Sequence, residues 1–158
     1  MFDGNIRIIQ RVAAKVQRVL VVDSNPSIAK LLADQLRQLG SVQIYAAQTI
    51  ERGYAMARTV DPQLIFVEHA SAGVDGLLLT RKIRRSDLVC REAPIIMCTA
   101  EATAEAIFGA RDAGVHEYAA SGPQAERRYW RYKVTPFGSK LSPYYLAVMV
   151  DDLMEHLR

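Results

Sequence analysis

The chain has 158 residues, half of them hydrophobic, which suits one ordinary domain with its own core. No apolar run reaches the roughly 18 residues that a membrane span needs, and the first residues lack the layout of a signal peptide. The net charge of +3 is only mildly basic, and Cys90 and Cys98 lack metal-ligand spacing. We therefore expect a cytoplasmic protein with buried free thiols.

Short apolar runs alternate with helical patterns along the chain. Asn25 is a suitable cap for the first helix, and Pro26 suits its first position. Five strand–helix units in alternation predict an α/β fold, with a doubly wound five-stranded parallel sheet whose functional crevice lies at the carboxyl ends of the strands. The predicted strands are 18–22, 42–46, 64–67, 94–98 and 116–120, and the predicted helices are 26–39, 49–60, 76–85, 102–113 and 144–157.

Polar side chains collect where these predicted strands end. Asp75 and Gly76 make the turn into the third helix, and the strand-end set consists of Asp23, Ser24, Glu68, Thr99, Tyr118 and Ser121. In its spacing, this pattern resembles the receiver domain of bacterial response regulators, the CheY-like family with a flavodoxin-like fold. The resemblance covers about 17–120 and the last helix.

The resemblance implies a role for each of these positions. The family holds Mg²⁺ with two adjacent acids, of which Asp23 matches the first and Ser24 replaces the second. Glu68 stands where the family carries its phospho-accepting aspartate.

The remaining family positions are mixed. Thr99 matches the switch hydroxyl and Tyr118 the switch aromatic, while Ser121 falls at or next to the phosphate-binding lysine. With three positions changed, we expect a degenerate phosphorylation site, no metal and no enzymatic activity. Unusual phosphorylation on Glu68, as in a conventional regulator, is the alternative.

A basic, aromatic insertion is predicted at about 122–141, before the last helix. Residues 122–140 carry a net charge of +4, so the rest of the chain is close to −1. The alternating pattern of 128–134 suits an exposed extended arm or a hairpin. The candidate ligand-binding residues are Arg127, Arg128, Tyr129, Trp130, Arg131, Tyr132 and Lys133.

Arginines interleaved with aromatic rings recognise planar anionic ligands, because guanidinium groups pair with phosphate or guanine edges and rings stack on bases. Cyclic di-GMP offers both groups. The insertion is similar to that of the Cle proteins, CheY-like effectors that bind cyclic di-GMP and are associated with the flagellar motor. A protein interface or non-specific nucleic-acid binding are the alternatives.

The sequence thus predicts a non-enzymatic two-component signalling protein, with an N-terminal extension at 1–16 and a receiver-like domain at 17–158. The extension could form a helix covering a sheet edge or mediate self-association. The expected ligand is cyclic di-GMP, with no other cofactor. The expected partner is a protein, such as the flagellar motor switch or a signalling kinase, rather than nucleic acid or a membrane. A pseudo-receiver adaptor without a nucleotide ligand is the alternative function.

Overall fold

The computed structural model describes residues 10–11, 14–37, 42–71, 74–99, 104–115, 117–120 and 134–136. The helices are α1 (Pro26–Arg37), α2 (Ile50–Val60), α3 (Gly76–Arg84) and α4 (Ala104–Ala113), with a 3-10 turn at Val89–Glu92. The strands are β1 (Arg18–Val22), β2 (Gln43–Ala47), β3 (Leu64–Glu68), β4 (Ala70–Ser71), β5 (Val74–Asp75), β6 (Ile95–Thr99), β7 (Glu117–Ala120) and β8 (Val134–Pro136). None of the described helices is long and apolar enough to span a membrane.

The main sheet has the strand order β2-β1-β3-β6-β7-β8, and every neighbouring pair is parallel. Right-handed crossovers place α1 on one face, because the chain moves outward from β1 to β2. They place α2, α3 and α4 on the other face, because the chain then moves back across the sheet. With helices on both faces, the β1, β3 and β6 side chains form the buried core.

Side-chain caps position the helices close to the predicted boundaries. The Asn25 side chain accepts a hydrogen bond from the Ser27 amide at 3.0 Å, so the predicted cap of α1 is confirmed. Thr49 caps α2, and Asp75 caps α3 through the Leu78 amide at 3.2 Å. Asp61 ends α2 in the left-handed conformation, with φ of 51°.

Two features differ from the predicted topology. A small antiparallel pair, β4 with β5, follows Glu68 directly. β8 adds a sixth parallel strand next to β7, so the prediction of five strands is one short. Strands of two or three residues carry no apolar run long enough to recognise in a sequence.

The predicted last helix, at 144–157, lies outside the described residues. Of the basic insertion, the structure describes Val134–Pro136. These three residues are extended and pair parallel with β7, and the rest of the predicted arm or hairpin at 128–134 lies outside the described residues. In the N-terminal extension, residues 10–11 and 14–15 are helical and Val16 is buried.

Candidate functional site

The parallel sheet brings the predicted receiver positions together at one edge. Asp23 follows β1, Glu68 ends β3, and Thr99 ends β6, which lies on the other side of β3. Glu68 is in register with Cys98. Tyr118 lies in β7 opposite Met97. The structure therefore assembles the backbone of the predicted strand-end set from Asp23 to Tyr118.

Ser24 binds the side chain of Glu68 directly. The Ser24 amide donates a hydrogen bond to Glu68 Oε2 at 2.8 Å, and the Ser24 hydroxyl donates to the same oxygen at 2.9 Å. A carboxylate at position 24 would have no side-chain proton to donate and would repel Glu68. The two departures from the family pattern therefore complement each other.

Asp23 is the buried member of this site, with 5% of its surface exposed. Burial raises the pKa of its carboxyl from 3.8 to about 6, although a hydrogen bond from the Asn25 amide at 2.8 Å opposes that rise. The negative charge of Glu68 raises this pKa further. The Asp23 carboxyl therefore changes its protonation state near pH 6, well above the usual range of an aspartate.

Cys98 is a buried residue in register with Glu68 on the neighbouring strand. Burial raises the pKa of its thiol to about 12, and the charges of Asp23 and Glu68 act in the same direction. The sequence predicted a buried free thiol here, which the structure confirms. Its proximity to the carboxylates depends on strand register, which spacing in the sequence does not give.

Backbone contacts fix the loop that follows Glu68. The His69 amide donates to the Cys98 carbonyl at 2.9 Å, and the Gly76 amide donates to the His69 carbonyl at 2.9 Å. A Cβ atom at Gly76 would collide with the Glu68 carbonyl oxygen. The start of α3 therefore packs directly on the strand end that carries the site, and only glycine fits there.

The donor set does not fit the Mg²⁺ ion that the family resemblance implies. Asp23 accepts from Asn25, and Glu68 Oε2 accepts two bonds from Ser24. Within the described residues, no group of three His, Cys, Asp or Glu side chains is placed to hold a metal ion. Proteins usually hold Mg²⁺ by one or two carboxylates together with several waters. Here the Ser24 hydroxyl, which replaces the second acid of the family, donates a hydrogen bond to Glu68 instead of offering a negatively charged ligand.

The other predicted site residues lie outside the described part of the chain. These are Ser121 and the candidate ligand-binding residues Arg127, Arg128, Tyr129, Trp130, Arg131, Tyr132 and Lys133. For Thr99 and Tyr118, the backbone position is described.

Comparison with known proteins agrees with this geometry. The response regulator receiver domain family matches residues 19–120. The transcriptional regulatory protein BaeR of Escherichia coli O6:H1 is 38% identical over 88 residues, which are 53% of this chain and 33% of that regulator. The chain therefore spans about a third of that regulator's length.

Chemotaxis protein CheY1 of Helicobacter pylori is 28% identical over 102 residues, which are 64% of this chain and 82% of that protein. A CheY-like receiver domain protein from Methanospirillum hungatei has the same fold. The TM-score is 0.67, with 19% identity over 90% of this chain and 97% of that one. The family match covers more than half of the sequence, and the chain belongs to the response regulator receiver domain family.

Proposed function

We propose that this receiver domain signals without conventional aspartyl phosphorylation. The observation that carries the proposal is the pair of hydrogen bonds from Ser24 to Glu68 Oε2. Phosphoryl transfer needs a positioned nucleophile and cations that neutralise the developing charge. Here the acceptor position carries a longer side chain bound by a neighbour, and the donor set does not fit the metal.

The input is proposed to be cyclic di-GMP, bound by the arginine-rich segment at about 122–141. Arg127, Arg128 and Arg131 would contact phosphates and guanine edges, and Tyr129, Trp130 and Tyr132 would stack on the bases, with Lys133 beside them. The support comes from the amino-acid composition. Residues 122–140 carry a net charge of +4, whereas the rest of the chain is close to −1.

The output is proposed to be a changed affinity for a protein partner, such as the flagellar motor switch or a signalling kinase. The proposed partner face lies around α4, β7 and the predicted last helix. β8, which follows the arginine-rich residues, pairs with β7 at this end of the sheet. Ligand binding that orders this segment would therefore act next to the partner face. CheY1 of Helicobacter pylori, named as a chemotaxis protein, supports a role of this kind.

Amide NMR spectra test the proposal that this domain signals without aspartyl phosphorylation. Beryllofluoride with Mg²⁺ mimics a phosphoryl group on a receiver aspartate. We expect the amide signals of Ser24, Glu68 and Thr99 to stay unchanged when both are added. An ordinary receiver domain titrated in parallel is the positive control. Saturable shifts at these three residues would refute this part of the proposal.

Calorimetry with cyclic di-GMP tests the proposed input. We expect binding in the micromolar range or tighter, lost in Arg128→Ala and Trp130→Ala. Arg37→Ala is the matched control, because Arg37 is an exposed arginine on α1. Absence of binding by the wild-type chain at high micromolar ligand would favour the alternative, a pseudo-receiver adaptor with no nucleotide ligand.

A further inference from the structure

A positively charged surface lies on α2 and α3, on the sheet face opposite α1. The two helices contain a single acidic residue, Glu51, at the start of α2. Their basic residues gather mainly in the last turns, where cations interact favourably with the helix dipole. The helix dipole therefore explains why the last turns of α2 and α3 are basic. It does not explain the contacts that these basic side chains make.

Tyr54 brings cations from both helices onto one aromatic ring. The Arg58 guanidinium lies 5.3 Å from the centroid of the Tyr54 ring, and the Lys82 ammonium lies 4.5 Å from it. The ring is fixed in place because Tyr54 packs against the hydrophobic core. Arg58 and Lys82 are both exposed, and within the described residues neither forms an ion pair. A bound anion would relieve the repulsion between these two like charges.

An apolar side chain lies in line with the cations on α3. Leu78 is 52% exposed. It precedes Arg81 and Lys82 by three and four residues, so these three side chains share one stripe of α3, and Arg85 directly follows the last residue of the helix. All three cations are exposed.

This combination favours a protein partner over nucleic acid. Aromatic rings and arginines beside an exposed apolar side chain are typical of protein interface centres. Surfaces that bind nucleic acid are more polar and more positively charged than protein interfaces, and at least half of their hydrogen bonds go to phosphates and sugars.

We propose that this surface binds an acidic segment of a partner protein. Carboxylates would contact the cations, and an apolar side chain of the partner would cover Leu78. We define the α2–α3 surface as Tyr54, Arg58, Leu78, Arg81, Lys82 and Arg85. It is separate from the α4–β7 face and contains none of the residues proposed to bind cyclic di-GMP and none of the Glu68 site.

Fluorescence anisotropy tests the proposal with the full chain and a labelled peptide of glutamates interrupted by two leucines. The double variant Arg58→Glu with Lys82→Glu is expected to weaken binding by at least about tenfold, because it replaces attraction with repulsion. The double variant Lys30→Glu with Arg37→Glu makes the same charge change on exposed residues of α1, on the opposite face, and is expected to keep the wild-type affinity. Circular dichroism checks that both double variants are folded.

The apolar contact and the location need separate readouts. A glutamate peptide of equal charge without leucines should bind more weakly to the wild-type chain, and Leu78→Ser should abolish that difference. Amide NMR shifts caused by the leucine-containing peptide should map to α2 and α3.

Equal weakening by the two double variants would overturn the proposal, because only net charge would then matter. Tighter binding to a single-stranded oligonucleotide of equal charge, or to vesicles with anionic lipids, would overturn it in favour of those partners.

Discussion

In the receiver pocket, two residues that depart from the family pattern are joined by hydrogen bonds. Ser24 and Glu68 each depart from the family pattern, and the sequence predicted both as signs of a degenerate site. The sequence could not predict that Ser24 donates two hydrogen bonds to one Glu68 oxygen. That arrangement depends on the distance between the ends of β1 and β3, which only the folded sheet defines.

Replacing Ser24 by alanine tests this bond. Ser24→Ala removes the hydroxyl donor and leaves the backbone amide as the remaining Ser24 donor to Glu68. Because the acceptor is a partly buried carboxylate, we expect the free energy of unfolding to fall by about 1–2 kcal/mol. Urea unfolding followed by circular dichroism measures the change. Ser27→Ala, at an exposed serine of α1, is the control, and equal stability of the two variants would contradict the predicted bond.

Asp23 predicts a dependence of stability on pH. Its folded pKa of about 6 exceeds the unfolded value of 3.8, so the folded state binds more protons between these values. Stability is therefore expected to fall as pH rises from about 4 to 6 and to level off above that range, with a loss of up to about 3 kcal/mol.

Substitution by asparagine separates this contribution from other groups. Asp23→Asn keeps an oxygen for the Asn25 amide but does not ionise, so the variant should lack this decline and exceed the wild type in stability at pH 7. Asp34→Asn, at an exposed carboxyl of α1, leaves Asp23 intact and should retain the decline. Urea unfolding across pH 4–8 measures the slopes, and parallel slopes for wild type and Asp23→Asn would contradict the predicted pKa.

At the scale of elements, the Arg84 side chain connects three segments through hydrogen bonds. Its Nε donates to the Gly114 carbonyl at 3.0 Å, and its Nη1 donates to the Arg91 carbonyl at 2.6 Å. These bonds join the end of α3 to the end of α4 and to the 3-10 turn. Burial lowers the pKa of the guanidinium, so the charge is partly desolvated and depends on these acceptors.

We expect Arg84→Met to lower the free energy of unfolding by about 2–3 kcal/mol. Methionine has a similar length but no hydrogen-bond donors, so the two carbonyls lose their charged partner. Arg85→Met is the matched control, since the neighbouring arginine is exposed. Thermal unfolding compares the two variants. Similar midpoints would show that the Arg84 bonds contribute little.

The sequence predicted elements well where an element carries its own signal. β1 has the predicted bounds, and the first residues of α1 and α3 are as predicted. β4, β5 and β8 were missed because each has at most three residues and exists through pairing with a neighbour. The start of α2 lies one residue later than predicted, at Ile50, because the Thr49 side chain caps the helix.

At the scale of the whole molecule, the right-handed crossovers separate the possible interaction regions. The Glu68 site lies at the carboxyl ends of the strands, and the α2–α3 surface lies on one face of the sheet. Hydrophobic alternation predicted this architecture. The α2–α3 surface was not predicted, because Tyr54 and Lys82 are distant in sequence and meet only after α2 and α3 pack side by side.

The central claim is that the receiver pocket no longer accepts a phosphoryl group. The most direct measurement is the intact mass of the chain after incubation with acetyl phosphate and Mg²⁺, beside an ordinary receiver domain as positive control. We predict an unchanged mass for this chain while the control gains one phosphoryl group. A phosphoryl adduct on the wild-type chain that is lost in Glu68→Gln would contradict the claim.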